Sequence, residues 1–169
     1  MSITVLSPDV SSRIAAGEVV ERPASVVKEL LENSIDAGAS EISIEIEDGG
    51  LKLIRFLDNG IGIAAKDMRV AFERYATSKI TSDNDLHTIN TLGFRGEALP
   101  SIAAVSDVDI ISRARDQKVA SYLRLEGGIV VNGGHRGSPV GTDISIKDLF
   151  MRQPARRKFL KSPRREVQQ

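Results

Sequence analysis

The sequence has no cysteine and no tryptophan, only two histidines, and 4% aromatic residues. Without cysteine there is no disulfide scaffold, no thiolate metal site and no thiol nucleophile, and the chain suits a reducing compartment. His87 and His135 lie far apart with no acidic cluster beside either, which argues against a histidine metal centre; both read as loop residues. No apolar run approaches the roughly 18 residues of a membrane span. The opening MSITVLSPDV lacks a basic stretch followed by an apolar one, so a cytoplasmic setting without membrane contact is expected. An excess of one charge is missing as well. Lys+Arg and Asp+Glu are both 23, so no chain-wide field recruits a polyanion, and any such partner must be met locally.

What is present is 169 residues, 41% hydrophobic and 27% charged, enough for one core built mainly from Ile, Val, Leu and Ala. A helical turn is expected within residues 11–20, stopping near Gly17. Pro23 then suits a first helical turn, and Val26, Val27, Leu30, Leu31 and Ile35 form an apolar stripe that Gly38 closes. Ile42, Ile44 and Ile46 alternate with polar residues, Gly49-Gly50 turns the chain, and residues 51–57 complete a hairpin. Residues 66–75 are helix-compatible, and residues 76–94 read as a long loop of the functional kind. Another helix is expected over 97–105, then strands over 108–112, 119–125, 129–132 and 142–146, with a turn at Gly127-Gly128. The pattern predicts α+β: a layered sandwich with a mixed, mostly antiparallel sheet under helices.

Three groups of residues carry chemistry. Glu29, Asn33 and Asp36 share one face of the first long helix. That face reads either as an ordinary solvated surface or as a site where an amide oxygen ligates Mg²⁺ and a carboxylate one turn away deprotonates water. Asp58-x-Gly60-x-Gly62 follows a strand, where glycines permit close ligand approach and an aspartate accepts a hydrogen bond from an amine such as that of adenine. Gly60-Ile-Gly62-Ile-Ala-Ala65 also matches a dinucleotide fingerprint, yet Asp83 and Asp85 lie in a polar loop rather than at the end of a second parallel strand, which disfavours that reading. No G-x-x-x-x-G-K-[ST] loop occurs. In its place stand Leu92-Gly93-Phe94-Arg95-Gly96-Glu97-Ala98-Leu99, either a plain turn or a nest of N–H groups for phosphate, and Thr77-Ser78-Lys79 nearby. Residues 152–169 add seven basic side chains (Arg152, Arg156, Arg157, Lys158, Lys161, Arg164, Arg165) against Glu166, either a solvated helix or a polyanion contact.

Val26-Val-Lys-Glu29-Leu-Leu-Glu-Asn33-Ser-Ile-Asp36-Ala-Gly-Ala39, Asp58-Asn-Gly60-Ile-Gly62-Ile, Ala76-Thr-Ser-Lys79-Ile and Gly93-Phe-Arg-Gly96-Glu-Ala-Leu99 resemble, in order, the ATP-binding motifs of MutL-type DNA mismatch-repair proteins. Ile14-Ala-Ala-Gly17-Glu-Val-Val-Glu-Arg-Pro23-Ala-Ser and Pro154-Ala-Arg-Arg-Lys-Phe-Leu160 are similar to that family beyond the wider group of gyrase B subunits and sensor kinases. The resemblance spans nearly the whole chain. It implies a Bergerat-type ATPase domain over residues 1–150, with a lid at about 76–97, and a basic segment at 151–169 leading toward a second domain.

By that resemblance Glu29 is the general base and Asn33 the Mg²⁺ ligand. Asp58 holds the adenine amine with Gly60, Gly62 and Thr142. Thr77, Lys79 and the run from Leu92 through Gly93, Phe94, Arg95, Gly96, Glu97 and Ala98 to Leu99 surround the phosphates; Asp36 and Arg95 support helix and lid. It further implies an ATP-dependent dimer, mismatch-recognition and downstream repair proteins as partners, weak non-specific DNA contact, and a bacterial-type, nucleoid-associated location. Relatives supply another lysine to the γ-phosphate from a second domain, so binding of ATP with slow turnover is expected. Departures are Phe150-Met-Arg152-Gln153, where many relatives have Tyr-Asn-Thr before the proline, and Pro100, tolerable in a first helical turn. An interaction module in which hydrolysis is incidental is the alternative reading.

Overall fold

The computed structural model describes residues 4–5, 16–17, 19–77, 92, 96–160, 162 and 166. Among them, helices α1 (Pro23–Asp36), α2 (Ala98–Ala104) and α3 (Pro154–Phe159) accompany strands β1 (Ile42–Glu47), β2 (Leu53–Asp58), β3 (Asp107–Arg113), β4 (Ala120–Glu126), β5 (Ile129–Arg136) and β6 (Gly141–Lys147). The strands form one six-stranded sheet in the order β1-β2-β6-β3-β4-β5. Every neighbouring pair is antiparallel. The expected α+β sandwich is present, with a sheet that is antiparallel throughout the described residues. Two local hairpins, β1–β2 and β4–β5, fit the glycine pairs that turn them, and β6 closes the sheet by entering between β2 and β3.

Alternation along the strands decides which face is covered. Ile54, Phe56, Ile144, Ile146, Val108, Ile110, Leu123 and Leu125 point inward and are buried in one cluster with Val26 and Leu30 of α1 and Ile102 and Ala103 of α2. Each Val, Leu, Ile or Phe side chain among them contributes about 1.5–3 kcal/mol on burial. The other face carries ion pairs. Arg55 grips Asp143 with two hydrogen bonds of 2.9 and 2.7 Å, Lys147 meets Asp109 at 2.9 Å, and Arg136 stacks 3.8 Å from the Tyr122 ring centroid. With α1 and α2 packed over the inner face, a site built from helix and strand residues together lies at an end of that layer.

The structure differs from the sequence reading in four places. Residues 66–75 form turns and one 3₁₀ turn (Val70–Phe72) instead of an α-helix, because only Met68 in that run is fully buried and Val70 is 44% exposed. Met68, Ala71, Phe72 and Tyr75 are spaced as on a helix, but with Tyr75 73% exposed so short a run has too little packing to hold one. On α1, Ile35 is 49% exposed, and Ser34 instead continues the buried row of Pro23, Val26 and Leu30. The first turn does not stop at Gly17: residues 16, 17 and 19 are helical, and the Val20 amide donates to the Ala16 carbonyl at 2.8 Å. Gly17 is instead a point of contact, since a Cβ there would lie 1.4 Å from the Arg156 guanidinium. Lastly, β5 runs on through Gly133-Gly134, which puts His135 on a strand rather than in a loop. His87 lies outside the described residues.

Candidate active site

Helix α1 starts on Pro23 at its first turn and ends in a glycine cap: Gly38 has φ +68°, and the amides of Ala37, Gly38 and Ala39 turn back to the carbonyls of Asn33, Ile35 and Ser34. This is the left-handed closure that glycine favours. Because α1 runs unbroken over Pro23–Asp36, Glu29, Asn33 and Asp36 at i, i+4 and i+7 lie along one side of it, each half-buried. The expectation that these three share a face therefore holds. The Ile61 amide donates to the Ala37 carbonyl at 3.0 Å and seats the loop after β2 on the end of this helix.

At the end of β2, both oxygens of Asp58 receive donors: the Ser34 hydroxyl reaches Oδ2 at 3.0 Å, and the Gly60 amide reaches Oδ1 at 2.9 Å. A carboxylate whose local partners all donate is held as an acceptor. Asn59 clamps the loop from the other side, accepting the amides of Ser40 and Glu41 at 2.9 and 3.0 Å and donating to the Ser40 hydroxyl at 2.9 Å. Close packing explains the glycines. A Cβ on Gly60 would sit 2.8 Å from the Ala37 Cβ, and one on Gly62 (φ +71°) would sit 2.1 Å from the Arg113 carbonyl oxygen.

Register carries the site across the sheet. Asp58 stands opposite Thr142, Thr142 opposite Ser112, and Ser112 opposite Ser121. The inner layer, apolar elsewhere, turns polar along this row. Ser112 is fully buried, accepts the Ile63 amide at 2.8 Å, donates to the Gly141 carbonyl at 3.0 Å and lies 2.8 Å from the Thr142 hydroxyl.

The base of the expected lid is also defined. The Tyr75 amide donates to the Gly96 carbonyl at 3.1 Å, and Gly96, with φ +62°, packs so tightly that a Cβ would lie 2.4 Å from the Ala76 carbonyl oxygen. Residues 75 and 96 are thus joined, with half-buried Thr77 just beyond, Glu97 leading into α2 and Ala98 and Leu99 opening it. The Leu92 amide donates to Asp36 Oδ1 at 3.0 Å, so the carboxylate at the end of α1 touches this segment. Lys79, Gly93, Phe94 and Arg95 lie outside the described residues, as do Lys161, Arg164 and Arg165. Three residues of the basic run are engaged within the chain, Arg157 reaching the Met151 sulfur at 3.4 Å. Arg152 pairs with Asp107 at 2.7 Å, and Arg156 donates to the Val20 carbonyl at 3.0 Å.

Residues 21–130 match the family described as histidine kinase-, DNA gyrase B-, and HSP90-like ATPase. The chain belongs to this ATPase family. Within it, the chain is 59% identical over 161 residues to the DNA mismatch repair protein MutL of Halothermothrix orenii, covering 95% of this chain and 25% of that protein. It is 56% identical over 165 residues to MutL of Acidobacterium capsulatum, covering 98% and 25%. The chain thus spans about a quarter of the length of these relatives. Among solved structures, the Aquifex aeolicus MutL ATPase domain complexed with ADP is similar with a TM-score of 0.70 and 36% identity over 89% of this chain and 53% of that one. The N-terminal domain of a DNA repair protein is similar with a TM-score of 0.75 and 30% identity over 92% and 44%.

The side chains fit the ligands of such an ATPase. Asp58 offers an oriented acceptor, and the glycines let the loop pack closely on Ala37 and the Arg113 backbone beside it. No three His, Cys, Asp or Glu residues among those described cluster to hold a metal by themselves. An amide and a carboxylate on one helix face suit Mg²⁺, which keeps waters and shares its ligands with phosphate oxygens. No helix among the described residues is long and apolar enough to cross a membrane. Sequence reasoning missed Ser34, Asn59 and Ser112, and it read Arg156 only as part of the basic run, without its bond to the Val20 carbonyl. Of these only Ser34 left a signal, as a hydroxyl four residues after Leu30 on the buried row.

Proposed function

We propose that this ATPase domain binds ATP with Mg²⁺ between the polar face of α1 and the Asp58–Thr142 end of the sheet, hydrolyses it, and serves as the nucleotide-driven switch of a mismatch-repair protein. The observation that carries the reading is the Asp58 carboxylate, held as an acceptor by Ser34 and Gly60 at the foot of the helix that bears Glu29 and Asn33. Facing the C6 edge of a purine, such an acceptor selects the amine of adenine over the carbonyl of guanine. Asn33 supplies an oxygen ligand for Mg²⁺, which when bound offsets charge on the phosphate oxygens. Glu29 takes the proton of the attacking water as its oxygen bonds to the γ-phosphorus; the bond to the bridging oxygen breaks, leaving ADP and phosphate. The backbone at Gly96, Glu97, Ala98 and Leu99, with Thr77, lies at the phosphate end, and the resemblance adds Lys79, Gly93, Phe94 and Arg95 there.

Turnover by this stretch alone is slow, because a lysine from a second domain belongs to the complete site of relatives. ATP ordering the lid favours a dimer of the chain, the form that engages mismatch-recognition and downstream proteins. DNA is met weakly and without sequence preference through basic residues after Arg152. The test is calorimetric titration with a slowly hydrolysed ATP analogue and Mg²⁺ beside steady-state turnover. Asn33→Ala should weaken binding at least tenfold, and Glu29→Ala should abolish turnover while binding is kept. Turnover that survives Glu29→Ala would reduce hydrolysis to an incidental property of an interaction module, and an intact chain that binds no analogue would refute the nucleotide reading.

A further inference from the structure

We propose that Ser112 is a positioning residue of this site. It fixes the Thr142 hydroxyl and the backbone after Gly62 relative to one another and leaves Thr142 as an acceptor toward the base. The proposal rests on the nucleotide reading above. A serine hydroxyl has one proton and two lone pairs. At Ser112 one lone pair accepts the Ile63 amide at 2.8 Å, and the proton goes to the Gly141 carbonyl at 3.0 Å. The remaining lone pair faces Thr142 Oγ1 at 2.8 Å, so the proton in that contact is Thr142's own. Thr142 is thereby left with lone pairs alone for any further partner.

The three contacts join the loop after β2, the end of β3 and the start of β6 at one hydroxyl, adding side-chain bonds to the register that the strand ladders set. The strand ladders align β3 with β6, and the loop after β2 meets the end of β3 where Gly62 lies on the Arg113 backbone and Ile63 bonds to Ser112. Asp58 lies on that loop's approach and Thr142 on β6, so Ser112 sets the loop that follows one nucleotide-binding residue against the hydroxyl of the other. Its neighbour in the row, Ser121, cannot substitute. Ser121 Oγ is buried and has no hydrogen-bond partner among the described residues.

The test is a double-mutant cycle on this chain, titrating the slowly hydrolysed ATP analogue with Mg²⁺ into the unchanged protein, Ser112→Ala, Thr142→Val and the double variant. Ser112→Ala should weaken binding about tenfold, the effect of one hydrogen bond misplaced. The double variant should bind no more than about threefold more weakly than the weaker single, because Ser112 acts through Thr142. Ser112→Thr, which keeps the hydroxyl, should recover most of the affinity. Fully additive losses, or an Ser112→Ala variant that binds like the parent, would overturn the positioning role while leaving the nucleotide reading intact. No binding by the unchanged chain would remove both. If Ser112→Ala does not fold, hydrogen exchange at the Ile63 amide decides: protection in the unliganded parent and in Thr142→Val supports the bond to Ser112, and rapid exchange in the parent refutes it.

Discussion

Gly62→Ala tests whether the loop after β2 is seated by close contact or merely by connectivity. Two penalties combine there. Gly62 has φ +71°, a conformation that costs an alanine about 1–2 kcal/mol. The added Cβ would also lie 2.1 Å from the carbonyl oxygen and 2.6 Å from the carbonyl carbon of Arg113. Both atoms are backbone at the end of β3, which is paired on one side to β4 and on the other to β6, so the strand cannot yield and the loop must. Forced overpacking of this kind costs about 1–3 kcal/mol, for a total of about 2–5 kcal/mol. Two controls separate the contributions. Gly38→Ala shares the positive φ (+68°) but meets nothing within 4 Å, so it should lose only the conformational part, about 1–2 kcal/mol. Gly134→Ala has neither problem and should stay within about 0.5 kcal/mol of the parent. Urea unfolding midpoints and titration with the ATP analogue measure both outcomes, because a loop that relaxes away from β3 trades stability for lost affinity. A Gly62→Ala protein that matches Gly38→Ala in stability and the parent in nucleotide affinity would refute the argument.

The ion-pair face of the sheet predicts a pH dependence. Burial works to raise the Asp109 carboxyl, but hydrogen bonds from Lys147 and Tyr122 and the charges of Lys147 and Arg124 outweigh it and set it below its ordinary value. A lowered carboxyl contributes stability above its unfolded value of about 3.9, lost as pH falls through the folded one. Asp109→Asn should therefore lower the urea midpoint at pH 7 by an amount that vanishes on acidification; a difference unchanged down to pH 3 would contradict this. At the chain's other seam, Gly17→Ala displaces the Arg156 guanidinium and so removes its bond to the Val20 carbonyl, about 1 kcal/mol. In an Arg156→Ala background the same Gly17→Ala should instead be neutral or stabilising by up to about 1 kcal/mol, since alanine is the better helix former; equal losses in both backgrounds would show that Gly17 does not act through Arg156.

How far the sequence revealed the site depends on what kind of signal each residue leaves. Periodicity exposes burial, so α1, the β1–β2 hairpin and the strand order of apolar positions were readable, and with them the shared face of Glu29, Asn33 and Asp36. Glycines at positive φ leave composition signals, which is why the Asp58–Gly62 loop and the cap at Gly38 were readable too. Neither signal distinguishes a helix from a chain of turns when only one residue in ten is fully buried, as over residues 66–75, where Met68 stands alone. Nor does either find a hydroxyl that works inside the core. Ser112 alternates into the buried layer like any small strand residue, and its meaning depends on a pairing register that places it beside Thr142 and on a loop arriving from the far side of β6. The polar row Asp58–Thr142–Ser112 is a property of three strands distant in sequence. The polar face of α1, to which we assign the catalytic role, has residues that are near neighbours in the chain and could be read locally, whereas the proposed binding end of the site is made by non-local pairing and becomes visible only once the sheet is assembled.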